Sequence, residues 1–210
     1  MEIQYYGANC IRVTTKKANL LIDDNLAELG SKSVIKDNDT VLYTFISDSE
    51  RLSKAKLLID QPGEYEIGDT SVIGVPTRAY ADETGTLNGT IFKLEDEDVK
   101  VAIIGNSYAD ISDSQLEMLG AVDVLIIPVG NRENGLSGAD ALKIVKRIEP
   151  YILIPTHFED KNVKYKQPQA TLEEALKELA MEPVETTPKL KLKSASFNEG
   201  DPLKLIVLET

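Results

Sequence analysis

The chain has 210 residues, with 23 lysines and arginines against 35 aspartates and glutamates, which gives a formal net charge of −12. This charge would repel phosphate backbones and anionic lipid headgroups, so nucleic acids and membrane surfaces are not expected as partners. Hydrophobic residues make up 42% of the sequence, which predicts a packed globular core.

The N-terminal sequence MEIQYYGANC lacks the charged and then apolar regions of a secretory signal. No apolar run in the sequence is long enough to cross a bilayer. The single cysteine, Cys10, excludes an internal disulfide and is expected to be a small buried hydrophobe. These features predict a cytoplasmic protein.

The first two-thirds of the sequence predicts β-strands separated by tight turns. The predicted strands cover 3–6, 11–14, 20–22, 41–45, 56–59, 71–75, 90–94 and 99–104. The last two strands are expected to form a hairpin around the acidic turn 95–98. The segment 63–66, with the sequence GEYE, is predicted to be a structural turn in which Tyr65 packs inward and both glutamates are exposed.

Three helices are predicted in the last part of the chain, each from a capping residue followed by an amphipathic segment. The capping residues are Ser112 with Gln115, Ser137, and Thr171 with Glu174. Gly120 and Pro150 are expected to end the first two helices. Strands are predicted around these helices at 124–127, 152–155, 190–192 and 203–208. With no linker-like segment or internal repeat, residues 1–210 are predicted to form a single domain, a layered α/β sandwich.

Several segments, in their order and spacing, resemble the metallo-β-lactamase fold superfamily, in the branch of L-ascorbate-6-phosphate lactonase and related Zn-dependent hydrolases. The segments are IQYYGANCIRVTTKKANLLIDDNL, QPGEYEIGDTSVIGVPT, LGAVDVLIIPVG, IEPYILIPTHF and the C-terminal part from LEEALKELAMEPV to LKLIVLE. The resemblance covers almost the whole chain. It implies an α/β fold, a four-layer αββα sandwich, with a metal site at one rim of two sheets.

In that family the resemblance implies ligands from a His-x-His-x-Asp-His loop, a later histidine, an aspartate in a Gly-Asp turn and a final histidine in Ile-Pro-x-His. Such ligands hold zinc or manganese ions, which lower the pKa of a bound water so that it attacks at neutral pH. This sequence departs from that pattern at nearly every position. The replacing residues are Phe45, Ser47, Ser49 and Glu50 in the loop, Ala81 for the later histidine, Asn106 in the Gly-Asp turn, and Ala8 in an early Gly-His turn.

The final ligand position keeps its histidine, His157, which is the only histidine in the chain. One histidine and one cysteine cannot build the usual zinc sites, so no metal cofactor is expected. The alternative is zinc or manganese held by His157 together with carboxylates. Oxygen ligands around magnesium or calcium are a further option, from Asp23, Asp24, Asp48 and Glu50.

A vestigial cleft is expected where the family has its metal site. The residues predicted to line it are Ala8, Asn9, Ser47, Asp48, Glu50, Ala81, Asn106 and His157. One hypothesis is a rebuilt triad, with His157 as general base, Ser47 or Ser49 as nucleophile and Asp23 orienting the ring. The favoured interpretation is structural: the histidine is hydrogen-bonded within the rim, and Asp23 braces neighbouring loops by accepting backbone N–H bonds.

The favoured function is that of a non-catalytic binding or structural homologue of the hydrolases. A small-molecule ligand in the vestigial cleft and self-association into a homo-oligomer are its expected interactions. The alternative is an active metal-dependent hydrolase, of lactonase or phosphodiesterase type, with a site rebuilt around His157. A nucleic-acid processing role is disfavoured by the negative charge.

Overall fold

The computed structural model describes residues 1–46, 55–80, 82–131, 135–193 and 196–210. Within these residues the chain forms two β-sheets and three helices. The strands of the first sheet are β1 (Glu2–Tyr5), β2 (Ile11–Thr14), β3 (Asn19–Ile22), β4 (Thr40–Leu42), β5 (Leu57–Ile59) and β13 (Leu190–Lys191). The strands of the second sheet are β6 (Gly63–Ile67), β7 (Thr70–Thr77), β8 (Gly89–Asp96), β9 (Val99–Ile103), β10 (Val124–Pro128), β11 (Ile152–Thr156), β12 (Pro183–Thr187) and β14 (Lys204–Leu208). The helices are α1 (Asp113–Leu119), α2 (Gly138–Ile148) and α3 (Leu172–Leu179).

Each sheet has an antiparallel part and a parallel part. The first sheet runs in the order β13-β1-β2-β3-β4-β5, with β3, β4 and β5 parallel. The second runs in the order β12-β14-β11-β10-β9-β8-β7-β6, and its strands from β12 to β9 are parallel. The carboxyl ends of parallel strands lie at one edge of a sheet. The loops after β3 and β4 therefore share an edge of the first sheet, and those after β9, β10 and β11 share an edge of the second. The candidate site lies at these two edges.

The main core lies between the two sheets and contains fully buried side chains from both, such as Ile11, Leu20, Phe92 and Ile154. A second apolar cluster lies between the second sheet and the three helices. Strands β10 and β11 are buried along their whole length because they are covered on both faces. The order of these layers confirms the predicted α/β sandwich, with the described helices packed on the second sheet.

A third apolar cluster covers the outer face of the first sheet. Here Leu21, Val41 and Tyr43 pack against the loop after β3, through Leu26, and against Val163. Among the described residues this outer layer consists of turns and loops. Cys10 is buried in the same cluster as a free thiol, as its sequence context predicts.

The helix predictions are confirmed with their caps. Helices α1 and α3 begin with complete capping boxes, and Ser137 accepts from the Asp140 N–H at the start of α2. Helix α2 ends at Ile148, and Glu149 follows in a left-handed conformation immediately before Pro150.

Two predictions for the strands are wrong. Residues 63–66 belong to the edge strand β6 instead of a turn; the glutamates are exposed as predicted, while Tyr65 packs against the core on the alternate face. Strand β12 was not predicted, because its sequence PVETT is exposed along nearly its whole length and carries no apolar alternation. Both strands lie at sheet edges, where burial imposes the weakest pattern.

Within the described residues, no helix combines the length and the apolar character that crossing a membrane requires.

Candidate functional site

The candidate site is built from residues that lie within three positions of strand ends at the rim of the two sheets. Asp23 follows β3 and Thr44 lies just beyond β4 in the first sheet, while Asn106 and His157 follow β9 and β11 in the second. Strands β3 and β4 end level, at Ile22 and Leu42, whereas β9 ends at Ile103 beside Ile126, two residues before the end of β10. Ligand sites of α/β sheets lie outside such strand ends.

The carboxylate of Asp23 is held by donors from two neighbouring loops. The Thr44 backbone N–H donates to Oδ1 over 2.7 Å, and the Thr44 hydroxyl donates to Oδ2 over 2.6 Å. The side-chain amide of Asn106 donates to the same Oδ2 over 3.3 Å and to the Thr44 hydroxyl oxygen over 3.1 Å. The Asn106 backbone N–H also donates to this hydroxyl oxygen, over 2.9 Å. Asp23, Thr44 and Asn106 together are called the rim triad below; it links the two sheets.

Burial makes the side chain of Asp23 easier to protonate than that of an ordinary aspartate. The residue is fully buried, and burial raises its pKa to about 7, against the hydrogen bonds from Thr44 and Asn106, which lower it. Asp23 also has a φ of +50°, in the left-handed region that non-glycine residues rarely adopt. Such strain persists where surrounding contacts hold the residue in place, and here the rim triad provides them.

Gly105 allows the rim triad to close. It has a φ of +55°, and a Cβ at this position would lie 2.3 Å from the Thr44 side chain. Its carbonyl oxygen accepts a hydrogen bond of 3.0 Å from the Tyr80 hydroxyl. A side chain at residue 105 would therefore push Asn106 away from Thr44.

His157 is held mainly through its backbone. Its N–H donates to the Ala8 carbonyl oxygen over 2.8 Å, and both residues have positive φ angles, of 54° and 50°. The residue is largely buried, and its imidazole packs against the Tyr165 ring, with 4.9 Å between the ring centroids. Its Nδ1 atom is buried and has no hydrogen-bond partner among the described residues. Burial lowers the pKa of His157 to about 4, so the ring is neutral at pH 7.

The turn between β1 and β2 is fixed to the end of β11. The Ala8 carbonyl oxygen accepts a second hydrogen bond, of 3.1 Å, from the Tyr5 hydroxyl. Asn9 is buried, and its Oδ1 accepts a hydrogen bond of 3.1 Å from the Thr156 hydroxyl. These contacts bind the turn to the strand that carries His157, so Ala8 and Asn9 brace the rim.

The sequence-predicted site residues separate into two groups. Ala8 and His157 are joined by a backbone hydrogen bond, Asn9 bonds through its side chain to Thr156, and Asn106 joins Asp23 in the rim triad. Four predicted residues lie outside the described residues, and so their place in the cleft stays a prediction: Ser47, Asp48, Glu50 and Ala81. Ser49, the second candidate nucleophile, also lies outside them. Phe45, which replaces the first histidine of the family loop, packs against Tyr43 with ring centroids 5.2 Å apart.

The hypothesis of a catalytic Ser-His-Asp triad requires Asp23 to orient the imidazole of His157. Among the described residues, the Asp23 carboxylate is bonded to Thr44 and Asn106, and no hydrogen bond joins it to His157. The Asp23 carboxylate instead braces the strand ends, which is the structural role that the sequence favours. Asn106 likewise turns its amide toward the protein.

Sequence reasoning missed Thr44 and Tyr165. Thr44 is fully buried and bonds to both other residues of the rim triad. The sequence feature that could have identified it is a small hydroxyl residue at the end of the apolar run VLYT. Tyr165 covers the imidazole and donates to the Phe158 carbonyl oxygen over 3.0 Å. Nothing in the local sequence distinguishes Tyr165 from an ordinary loop tyrosine.

The side chains in the described part of the site do not form a metal-binding group. No group of three or more histidine, cysteine, aspartate or glutamate side chains within the described residues is placed to hold an ion. Both oxygens of Asp23 face hydrogen-bond donors, and Asn106 presents an N–H group to the same point. A cation beside Asp23 would meet the polar hydrogens of Thr44 and Asn106.

The comparisons with known proteins identify a family from the sequence and a shared fold from solved structures. Residues 2–157 match the family described as the β-lactamase superfamily domain. A proposed Zn-dependent hydrolase of the metallo-β-lactamase superfamily from Thermotoga maritima is similar over 99% of this chain and 97% of its own, with a TM-score of 0.76 and 21% identity. At such identity the likeness shows the fold alone. No protein of curated function is detectably similar in sequence.

Two further solved structures have the same fold. A proposed metal-dependent hydrolase from Parabacteroides distasonis has a TM-score of 0.63 and 13% identity, over 99% of this chain and 93% of its own. Igni18, a metallo hydrolase from the archaeon Ignicoccus hospitalis, has a TM-score of 0.62 and 13% identity, over 91% of this chain and 99% of its own.

Proposed function

This chain belongs to the family of β-lactamase superfamily domains, and we propose that within it the chain is a non-catalytic homologue. The proposed role is a binding or structural module that keeps the hydrolase-like fold and has exchanged metal coordination for hydrogen bonding at the rim.

The observation that carries this proposal is the rim triad. In it a buried carboxylate is satisfied by a hydroxyl, a backbone N–H and a side-chain amide, all of them neutral donors. A cluster of imidazoles and carboxylates without a cation would leave costly unpaired groups in the same place. Asn106 and the packed ring of Phe45 stand where the family pattern has an aspartate and a histidine ligand, and these replacements remove that cost. This supports a structural role for the rim.

A metal-content measurement tests the proposal. The untagged protein, purified without chelators and desalted, is analysed by plasma mass spectrometry after addition of zinc or manganese. We expect far less than one ion per chain. The matched variant His157→Asn identifies the position of any ion found, since asparagine tolerates a positive φ and removes the imidazole. One ion per parent chain that is lost in this variant would contradict the proposal.

The alternative is an active hydrolase rebuilt around His157. Two features of this residue favour it: the strained backbone and an Nδ1 atom without a hydrogen-bond partner in the described part of the chain, because strain and unsatisfied groups concentrate at functional sites. A pKa of about 4 counts against it, because such an imidazole is a weak base. Turnover of lactones, phosphodiesters or phosphorylated sugars by the parent protein, abolished in His157→Asn, would establish the alternative.

The proposal also excludes nucleic acid as a partner. With a formal charge of −12 the chain repels phosphate backbones unless basic residues are concentrated on one surface. A gel-shift measurement at low salt with duplex DNA and single-stranded RNA should show no complex. A salt-sensitive complex would refute this part of the proposal.

A further inference from the structure

The second sheet ends in a strand that neither neighbouring layer covers. In β12 the residues from Pro183 to Thr186 are all exposed, and Val184, at 66%, has the highest exposure among the large hydrophobic side chains of the described residues. Successive side chains of a strand point to opposite faces of the sheet, so β12 is open on both faces. Its edge is therefore accessible to another strand.

The backbone of Thr186 faces the open side of β12. The Thr187 carbonyl oxygen accepts a hydrogen bond of 3.1 Å from the N–H of Glu209, the residue after β14, so the backbone groups of Thr187 point toward β14. In a strand the backbone groups of adjacent residues point to opposite sides, which turns those of Thr186 away from β14. Among the described strands β14 is the only neighbour of β12. Thr186 thus offers one donor and one acceptor at a free edge, where a further strand can pair with them.

The two edges of the second sheet differ in how they are protected. Edge strands commonly avoid pairing with another chain through charged side chains, prolines and bulges. Strand β6, at the opposite edge, carries two exposed glutamates, Glu64 and Glu66. In β12 the proline and the register shift lie in its first half, between Pro183 and Glu185. Its second half, with the sequence TT, has neither a charge nor a proline and consists of residues that favour strands. The unprotected half is therefore the one that carries the free backbone groups.

A second copy of the chain is the partner that this edge fits. Two β12 strands related by a twofold axis pair antiparallel, and an axis beside Thr186 lets the two Thr186 residues exchange both N–H···O=C bonds. In this register Glu185 lies opposite Thr187 of the second copy, so the central pairs bring no like charges together. Val184 lies opposite Pro188 of the second copy, which covers an exposed apolar side chain with another apolar residue.

Charge supports the same register. Lys189 follows Thr187 by two residues, and its side chain is 47% exposed, with Glu2 as an ion-pair partner at 3.6 Å. Residues two positions further along a facing strand are diagonal neighbours, within reach of long side chains. Lys189 of the second copy therefore comes within reach of Glu185, and the twofold axis forms this contact twice. Because the strand supplies both halves of a complementary contact, it favours a second copy over an unrelated extended peptide.

We infer that two copies of this chain associate through β12, with Thr186 at a twofold axis, and so join their second sheets into one continuous sheet. This edge is the surface for the self-association that the sequence leads us to expect. The contact involves few residues and each copy carries a net charge of −12, so the dimer is transient. Strand β12 contributes no residue to the rim triad, so this inference and the proposed loss of metal can each fail alone.

Sedimentation velocity of the untagged full chain tests the inference. The protein is measured from about 10 µM to about 1 mM, in about 0.15 M salt to screen the net charge. We expect the weight-average mass to rise with concentration from that of one chain toward that of two. A mass that stays at one chain over the whole range would overturn the inference. Assembly beyond the dimer would also overturn it, because twofold pairing leaves no free β12 edge.

Two variants locate the contact. Thr186→Pro removes the N–H on the open side and keeps the bonds to β14, since edge strands accept proline, and it should weaken the association about tenfold or more. Val184→Glu places another acidic side chain beside Glu185 and should also weaken the association, more strongly at low salt.

Leu87→Glu is the matched control for Val184→Glu. It makes the same change of charge at another exposed hydrophobic residue, in the loop before β8, and should leave the association unchanged. Circular dichroism of all three variants verifies folding. A folded Thr186→Pro or Val184→Glu protein that associates as strongly as the parent would refute the β12 contact, and equal weakening by Leu87→Glu would refute its location.

Discussion

The Thr44 hydroxyl donates a hydrogen bond of 2.6 Å to Asp23 Oδ2 and so joins the ends of two parallel strands at the rim of the first sheet. The same hydroxyl oxygen accepts from Asn106, which extends the link to the second sheet. Solved structures with this fold include proposed metal-dependent hydrolases. In this chain, neutral side chains donate hydrogen bonds to the buried carboxylate instead. The rim is held by donors that need no ion.

Removing the Thr44 hydroxyl should destabilise the protein. In Thr44→Val, Asp23 Oδ2 keeps only the longer bond from Asn106, and the Asn106 N–H loses its acceptor. We expect a loss of about 1–3 kcal/mol in the free energy of unfolding, measured by urea denaturation. The control is Thr90→Val, because the Thr90 hydroxyl is equally buried but has no hydrogen-bond partner among the residues that the structure describes; its stability should be unchanged or higher. Equal losses in both variants would show that the rim bond is unimportant.

The pH dependence of stability should reveal Asp23 when His157 is removed. The pKa of Asp23 in the folded chain, about 7, lies above its ordinary value of 3.8, so the folded state binds the proton more tightly. Stability from this group is therefore complete below about pH 4 and is lost as the pH rises through 7, by up to about 4 kcal/mol. In His157→Asn the free energy of unfolding should fall from pH 4 to pH 7. A profile identical to that of His157→Asn/Asp23→Asn would contradict the raised pKa.

His157 should give the opposite slope. Burial lowers its pKa from 6.5 to about 4, so the unfolded chain binds the proton more tightly. Its contribution is present above pH 6.5 and is lost as the pH falls through 4. In Asp23→Asn, where the opposing group is absent, stability should therefore fall on acidification from pH 7 to pH 4 more steeply than in the parent. Urea titrations at four pH values measure both slopes, and a parent that is steeper than either variant would refute the pair of assignments.

Gly105 should tolerate no side chain. A Cβ there would lie 2.3 Å from Thr44, in addition to the cost of a positive φ. We expect Gly105→Ala to cost about 3 kcal/mol or more. Gly200→Ala is the matched control: its φ is +88°, but no atom lies within 4 Å of the new Cβ, so only the backbone cost, about 1 kcal/mol, remains. Thermal and urea unfolding of both variants separate crowding from backbone strain.

The buried pair Arg12–Asp39 should be essential for stability. The two side chains are 5% and 3% exposed and form two hydrogen bonds. Asp39→Asn leaves the guanidinium without its counterion and should cost about 3–5 kcal/mol, with little effect of added salt. Glu173→Gln breaks the exposed pair with Lys177 on α3 and should have no measurable effect on unfolding. A small loss in Asp39→Asn would show that water or another carboxylate replaces the partner.

Local sequence signals predicted the elements in which local chemistry dominates. The capping residues Ser112, Ser137 and Thr171 located all three described helices, since each cap satisfies backbone groups within its own turn. Continuous apolar runs located β10 and β11, which are covered on both faces. Strands β6 and β12 were mistaken or missed because edge strands are ordered by pairing with a neighbour, which local sequence does not encode.

For the candidate site, the sequence determined which residues are present, and the tertiary structure determined their contacts. By itself the sequence determined that the chain has one histidine and one cysteine, that His157 follows an apolar strand and that Asn106 stands beside Gly105. It could not show that Asp23 would bond to Thr44 and Asn106, which lie 21 and 83 residues away. Composition limits which ligands a chain can supply, but hydrogen bonds between distant loops arise only when strand pairing brings their ends together. Tertiary structure alone therefore decided that the carboxylate at this rim is paired with neutral donors.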